Sequence, residues 1–231
     1  MYKRQELERG AKPRPISKLG VIGGGTMGSG ITIAALNSGL PVTMVERDQE
    51  SLERGIENVK KVYRRDVEKG RLSQEKADKI LSNYSTSTHL KDLSDKDMII
   101  EAVFEELEVK KSVFSQLNDI AKEGAVLASN TSYLDIDKIA SATDRVGDVI
   151  GLHFFSPANI MRLLEIVVPT NVKDDVVATG FQLAKILKKV PVRAGNCDGF
   201  IGNRVLENYA KAANYMMEDG TSPYDIDKAI V

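Results

Sequence analysis

Two histidines occur in the 231 residues, and one of them, His153, stands in the apolar run VIGLHFF (149–155). Glu165 stands twelve residues later in a second apolar run, LLEIVV (163–168). A carboxylate without a partner inside a core is costly, so Glu165 needs one. If the two runs are neighbouring strands, Glu165 accepts from one imidazole nitrogen. That fixes the tautomer and leaves the other nitrogen as a proton acceptor. Taken alone, His153 reads as a satisfied core histidine; the carboxylate is what favours a base. The segment ASNTSYL adds Asn130, Thr131 and Ser132 just after a strand-like run. Alone, these three read as an Asx or Ser/Thr turn, or a cap before DIDKIA. GFIGNR places Asn203 in a largely apolar helical stretch, where alone it reads as a helix polar group or an interdomain hydrogen bond. One cysteine, Cys197, and two scattered histidines make no convincing metal set.

The elements that must position these groups alternate between β and α patterns. Strand patterns are KLGVIG (18–23), PVTMVE (41–46), DMIIEAVF (97–104), AVLASN (125–130), VIGLHFF, LLEIVV and VPVRAG (190–195). Helical patterns cover 26–39, a charged pair from 49 to 83, 107–121 and 173–189. Ser73 is the expected N-cap of the second helix of the charged pair, with Glu75 in its first turn. Such alternation implies an α/β fold with a parallel, doubly wound sheet. After Gly195 the β pattern stops and only helical patterns follow, the last with Pro223 at its first position. The expected division is a tail or linker over 1–15, a dinucleotide-binding domain over 16–195, and the beginning of an all-helical unit over 196–231.

The dinucleotide expectation comes from LGVIGGGTMGSG, which holds Gly23-x-Gly25-x-x-Gly28 between a strand and a helix. Gly23 permits the tight turn, Gly25 lets backbone approach a pyrophosphate, and Gly28 lets helix and strand pack closely. Thr26 and Met27 complete the loop at the helix N-terminus, where free N–H groups meet phosphate. Glu46 ends the next strand, where an acid binds the adenine-ribose hydroxyls and disfavours a 2′-phosphate, so NAD is expected over NADP. Arg47 beside it works against that preference. A base such as His153 next to a nicotinamide takes a hydroxyl proton while hydride leaves the same carbon, with no metal required.

The chain is 42% hydrophobic and 28% charged with a formal net charge of −1, which is globular and gives no reason to propose nucleic-acid or membrane-surface binding. No apolar run approaches the ~20 residues of a membrane span. A single cysteine forms no internal disulfide and suits a reducing compartment.

Five ordered segments, VIGGGTMGSGI, EAVFEELEVKKSVF, SNTSYLDI, GLHFFSPANIMRLLEIV and GNCDGFIGNR, resemble the 3-hydroxyacyl-CoA dehydrogenases. The likeness is strongest to the dehydrogenase part of peroxisomal-type multifunctional β-oxidation enzymes, and it runs from about Ile16 onward. The resemblance implies a Rossmann-type, mostly parallel sheet with a helical hairpin insertion that helps hold CoA. It implies His153 as general base, Glu165 as the group that orients it, and Ser132 and Asn203 as contacts to the substrate oxygen. It places Gly23, Gly25 and Gly28 on the pyrophosphate, Glu46 on the adenosine ribose, and Glu105, Lys110 and Asn130 near the cofactor. By their own residue types, Glu105 and Lys110 read as a solvated helix start. The implied reaction is NAD-dependent oxidation of (3S)-3-hydroxyacyl-CoA to 3-oxoacyl-CoA. The implied partners are an acyl-CoA substrate and either a second copy, as a homodimer of the full-length protein, or the other parts of a multifunctional chain. The implied setting is intracellular: peroxisomal by resemblance, with cytoplasm and mitochondrion as the other settings. The family carries a larger helical domain than the residues after Gly195 supply, so the C-terminal unit is expected to be truncated. Two other readings stay open: a related dehydrogenase for a smaller hydroxy acid or sugar acid, and a non-catalytic NAD-binding module.

Overall fold

The computed structural model describes residues 10–230. The first nine residues of the expected tail lie outside the described residues. The elements run β1 (Leu19–Ile22), α1 (Thr26–Asn37), β2 (Val42–Val45), α2 (Gln49–Glu68), α3 (Gln74–Leu81) and β3 (Tyr84–Ser87). Next come β4 (Met98–Glu101), α4 (Leu107–Ile120), β5 (Val126–Ser129), α5 (Ile136–Ala140), β6 (Val149–Phe154) and β7 (Leu163–Val168). The chain closes with α6 (Asp174–Ile186), β8 (Val190–Gly195), α7 (Gly202–Glu218) and α8 (Pro223–Ile230).

All eight strands form one sheet in the order β3-β2-β1-β4-β5-β6-β7-β8. The central strands LGVI, MIIE and VLAS are buried at every position, as parallel strands covered on both faces must be. One face meets α1 and α6 through Ile31, Leu36, Val177 and Leu183, packed on Val21, Ile100, Ala128 and Ile150. The other meets α4 and α5 through Phe114, Leu117, Ile136 and Ile139, packed on Ile99, Leu127 and Val149.

The sheet is mostly parallel, as expected; the one antiparallel pairing is that of β7 with β6. The reason lies in the connection. A parallel return needs a crossover of a dozen or more residues, usually helical, and residues 155–162 hold no helix. β8 then pairs parallel to β7 after the α6 crossover.

The charged helical pair is α2 and α3, and Ser73 does cap α3, accepting from the Lys76 amide at 3.4 Å. α2 turns Leu52, Val59 and Tyr63 inward and leaves its charged face in solvent. The edge strand β3, YSTS, carries no alternating apolar signal, yet it pairs in parallel with β2 after the hairpin.

At the end of the sheet where β4 begins, half-buried polar clamps tie the chain down. Arg14 donates to Asp175 at 2.8 Å, to Asp148 at 2.8 Å and to the Gly124 carbonyl at 3.1 Å. Asp97, just before β4, accepts from the Ser17 amide and hydroxyl, both at 2.7 Å, from the Lys18 amide at 2.9 Å and from Lys122 at 2.6 Å. Burial pushes its carboxyl up, but Lys122 and Ser17 outweigh that and hold it well below the usual range. A depressed carboxyl stabilises the fold above the ordinary Asp value of ~3.9 and loses that contribution as pH falls through the folded value. Asp97→Asn should cost about 1–3 kcal/mol in urea unfolding at neutral pH. The gap from wild type should close on acidification; a gap that stays constant with pH would contradict the clamp.

Candidate active site

The glycine turn joins β1 to α1. Gly23 has φ 99°, and a Cβ there would lie 2.6 Å from the Ala102 carbonyl oxygen. A Cβ on Gly28 would lie 1.8 Å from the Gly23 oxygen, so no larger residue closes this turn. Gly25 caps α1 with nothing within 4 Å of where its Cβ would be. No side chain caps α1 and no acid occupies its first turn, where Thr26 is exposed and Met27 half-buried. Open space before uncapped N–H groups is what a pyrophosphate fits. Glu46 reaches the same turn: one oxygen accepts from the Gly24 amide at 2.7 Å. Arg47 is 81% exposed and pairs with Asp48 instead.

At the other end of the site, the β6–β7 register sets His153 directly opposite Glu165. The imidazole Nδ1 lies 2.8 Å from Glu165 Oε2, and the side chains are 4% and 1% exposed. The second carboxylate oxygen accepts from the Gly202 amide at 2.7 Å, the first amide of α7. A carboxylate at a helix N-terminus is favourably placed against the helix dipole. Phe155 and Phe200 flank the imidazole at ring-centroid distances of 4.4 and 5.6 Å. The paired carboxylate fixes Nδ1 as the protonated nitrogen and leaves Nε2 to accept a proton.

Between the two lies the turn after β5. Asn130 is buried, and its Oδ1 accepts from the Phe154 amide at 3.0 Å, so it ties this turn to the strand of His153. Asn203 Nδ2 donates to the Ser132 carbonyl at 3.4 Å, a long bond that brings α7 onto the same turn. Ser132, Asn203, Asn130, His153 and Glu165 thus gather at one end of the sheet.

Glu105 anchors the turn. Its Oε1 accepts from the Ser132 amide at 2.8 Å, from the Tyr133 amide at 3.4 Å and from the Thr131 hydroxyl. Burial pushes its carboxyl up, but Thr131, the Lys110 charge and the Ser132 amide outweigh that and hold it below its ordinary value. Lys110 corrects the expectation of a solvated helix start. Its side chain is fully buried, with Nζ 2.6 Å from Glu101 and 3.3 Å from Glu105. Glu101, the Gly202 amide and the two phenylalanines were not singled out in the sequence. Glu101 ends an apolar strand, a backbone amide has no side-chain signature, and both phenylalanines read as core.

Residues 18–197 match the family described as 3-hydroxyacyl-CoA dehydrogenase, NAD binding domain. The chain is 43% identical over 222 residues to the peroxisomal bifunctional enzyme of Cavia porcellus, covering 95% of this chain and 30% of that protein. The crystal structure of FadB2 from M. tuberculosis superposes with a TM-score of 0.90 at 36% identity, covering 94% of this chain and 78% of that one. The (S)-3-hydroxybutyryl-CoA dehydrogenase PaaH1 from Ralstonia eutropha gives 0.88 at 33% identity, covering 91% and 75%. A doubly wound sheet with a glycine turn at a helix N-terminus defines a dinucleotide-binding protein. This chain belongs to the 3-hydroxyacyl-CoA dehydrogenase family, and it spans under a third of the curated relatives' length. Among the described residues no helix is long and apolar enough to cross a membrane.

The turn geometry sets an expectation for binding. Gly28→Ala should lower NADH affinity, read by fluorescence titration, at least about tenfold, ~1.4 kcal/mol. Wild-type affinity in a folded variant would contradict the close approach at Gly28.

Proposed function

We propose that this chain carries the NAD-dependent oxidation of (3S)-3-hydroxyacyl-CoA to 3-oxoacyl-CoA. The buried His153–Glu165 pair at 2.8 Å, beside the turn of Ser132, is the observation that carries this reading. His153 Nε2 takes the hydroxyl proton, and Glu165 holds the ring and stabilises the imidazolium that forms. Ser132 and Asn203 orient the oxygen. Phe155 and Phe200 keep water from the imidazole. NAD, held by the turn of Gly23, Gly25, Thr26, Met27 and Gly28, supplies the acceptor for the hydride on the same carbon. Glu46 takes the adenosine-ribose hydroxyls, and with Arg47 engaged by Asp48 the preference is for NAD over NADP. In the reverse direction His153 returns the proton.

We assign 16–195 to the cofactor domain and 196–231 to the beginning of a helical domain. Support comes from α7, whose Val205, Leu206 and Tyr209 are 65%, 62% and 53% exposed, an apolar stripe that suits further helices or a second subunit. The name of the Cavia porcellus relative, a peroxisomal bifunctional enzyme, supports a chain with more than one activity and a peroxisomal setting.

The test is NADH absorbance on mixing the chain with NAD⁺ and 3-hydroxybutyryl-CoA, beside free 3-hydroxybutyrate. Formation of NADH with the CoA ester alone is expected. Turnover of the free acid instead would move the assignment to a smaller hydroxy acid. NADH binding without turnover of either would reduce this chain to a cofactor module.

A further inference from the structure

Glu101 lies where three segments of the site meet, and the mechanism above leaves it unused. It ends β4, in register with Ile22 of β1 and Ser129 of β5. Its neighbour Ala102 abuts the glycine turn, donating to Ile22 at 2.8 Å. Its own carbonyl accepts from the Asn130 amide at 2.8 Å. Its side chain is fully buried. Oε1 accepts from Lys110 at 2.6 Å and from the Val103 amide at 2.7 Å, and Oε2 accepts from the Ser129 hydroxyl at 2.6 Å.

A buried pair of this kind is weak evidence for stability, because desolvating two charges offsets their attraction. What the pair does here is geometric. Lys110 is held between two carboxylates, Glu101 in the core and Glu105 at the rim, whose side chain is 39% exposed. Glu105 in turn holds the amides of Ser132 and Tyr133. The ammonium is shared between the two carboxylates, and Glu105 stays over the turn. In Glu101→Gln, Glu105 would be left as the carboxylate facing the buried ammonium and would be pulled from the turn toward Lys110.

We propose that Glu101 is a positioning residue, acting through Lys110 and Glu105 on the 130–133 turn, and so setting where Ser132 meets the substrate oxygen. The proposal rests on the role given above to Ser132. Glu101→Gln tests it: the amide keeps the shape and the oxygen that accepts from Lys110 and Val103, removes the charge, and puts an NH2 donor against the Ser129 hydroxyl, which can rotate to accept from it. Two readouts separate the proposal from its premise.

The first is amide hydrogen exchange, which needs no turnover. Exchange at Ser132 and Tyr133 should rise at least about tenfold in Glu101→Gln, while Leu127, inside β5, keeps its wild-type rate. No change at Ser132 and Tyr133, or an equal rise at Leu127, overturns the proposal by making Glu101 inert or merely structural. The second is a kinetic cycle with Ser132→Ala. Glu101→Gln should lower kcat/KM about tenfold or more in the wild-type background, because small displacements of a positioned group are costly. In the Ser132→Ala background it should lower kcat/KM less than about twofold. Equal losses in both backgrounds overturn the proposal. Absent turnover in the wild type, with exchange responding as stated, would sink the proposed reaction and leave the tether from Glu101 to the turn standing.

Discussion

The antiparallel pairing of β6 with β7 is the constraint on which the site depends. Residues directly opposite in such a pair present their side chains on the same face, a few ångströms apart. Here that places His153 against Glu165. A slip of one residue would send both to opposite faces of the sheet. The pairing also decides where α7 starts, because the free oxygen of Glu165 accepts the first amide of that helix. Asn203, one residue further on, then reaches the Ser132 turn. One strand register thus fixes the His153–Glu165 pair and the entry of the C-terminal helices.

The same period of two governs the rest of the polar machinery. Ile99 and Leu127 pack toward α4 and α5, and Glu101 and Ser129, two residues on, face the same way. His153 and Glu165 also face that side, since their neighbours Leu152, Phe154, Leu164 and Ile166 all join the cluster on the opposite face. The α1 side carries the larger apolar cluster, with Val21, Ile31 and Ile100 in it. Each buried polar group described on the α4 side is then satisfied by another: Lys110 by Glu101 and Glu105, Ser129 by Glu101, His153 by Glu165. In a site of low dielectric, such mutual satisfaction rigidifies the groups it joins.

Much of this was legible in the sequence, for local reasons. The glycine turn is read from a spacing of six residues in a strand–helix context. The His–Glu pair is read from a physical demand, that a carboxylate in an apolar run must have a partner. Ser73 as a helix cap follows from side-chain chemistry one turn away. What was not legible depends on distant partners. β3 is polar and half-exposed, so its sequence carries no alternation, and only the preceding hairpin delivers it to β2. The reversal at β7 had a signal, the lack of a helix-length connection, that the regular alternation elsewhere masked. Lys110 reads as surface because lysines usually are; its burial follows from Glu101, nine residues earlier on another element. Gly202 contributes through its backbone, which leaves no trace in residue type.

The central claim is that His153 is the base and that binding of the cofactor does not depend on it. His153→Gln separates the two most directly, with NADH titration and turnover of 3-hydroxybutyryl-CoA measured on the same protein. The expected result is unchanged NADH affinity with turnover lowered by roughly 10²–10⁴. Turnover within a few-fold of wild type, with NADH affinity intact, would contradict the account and return His153 to the core.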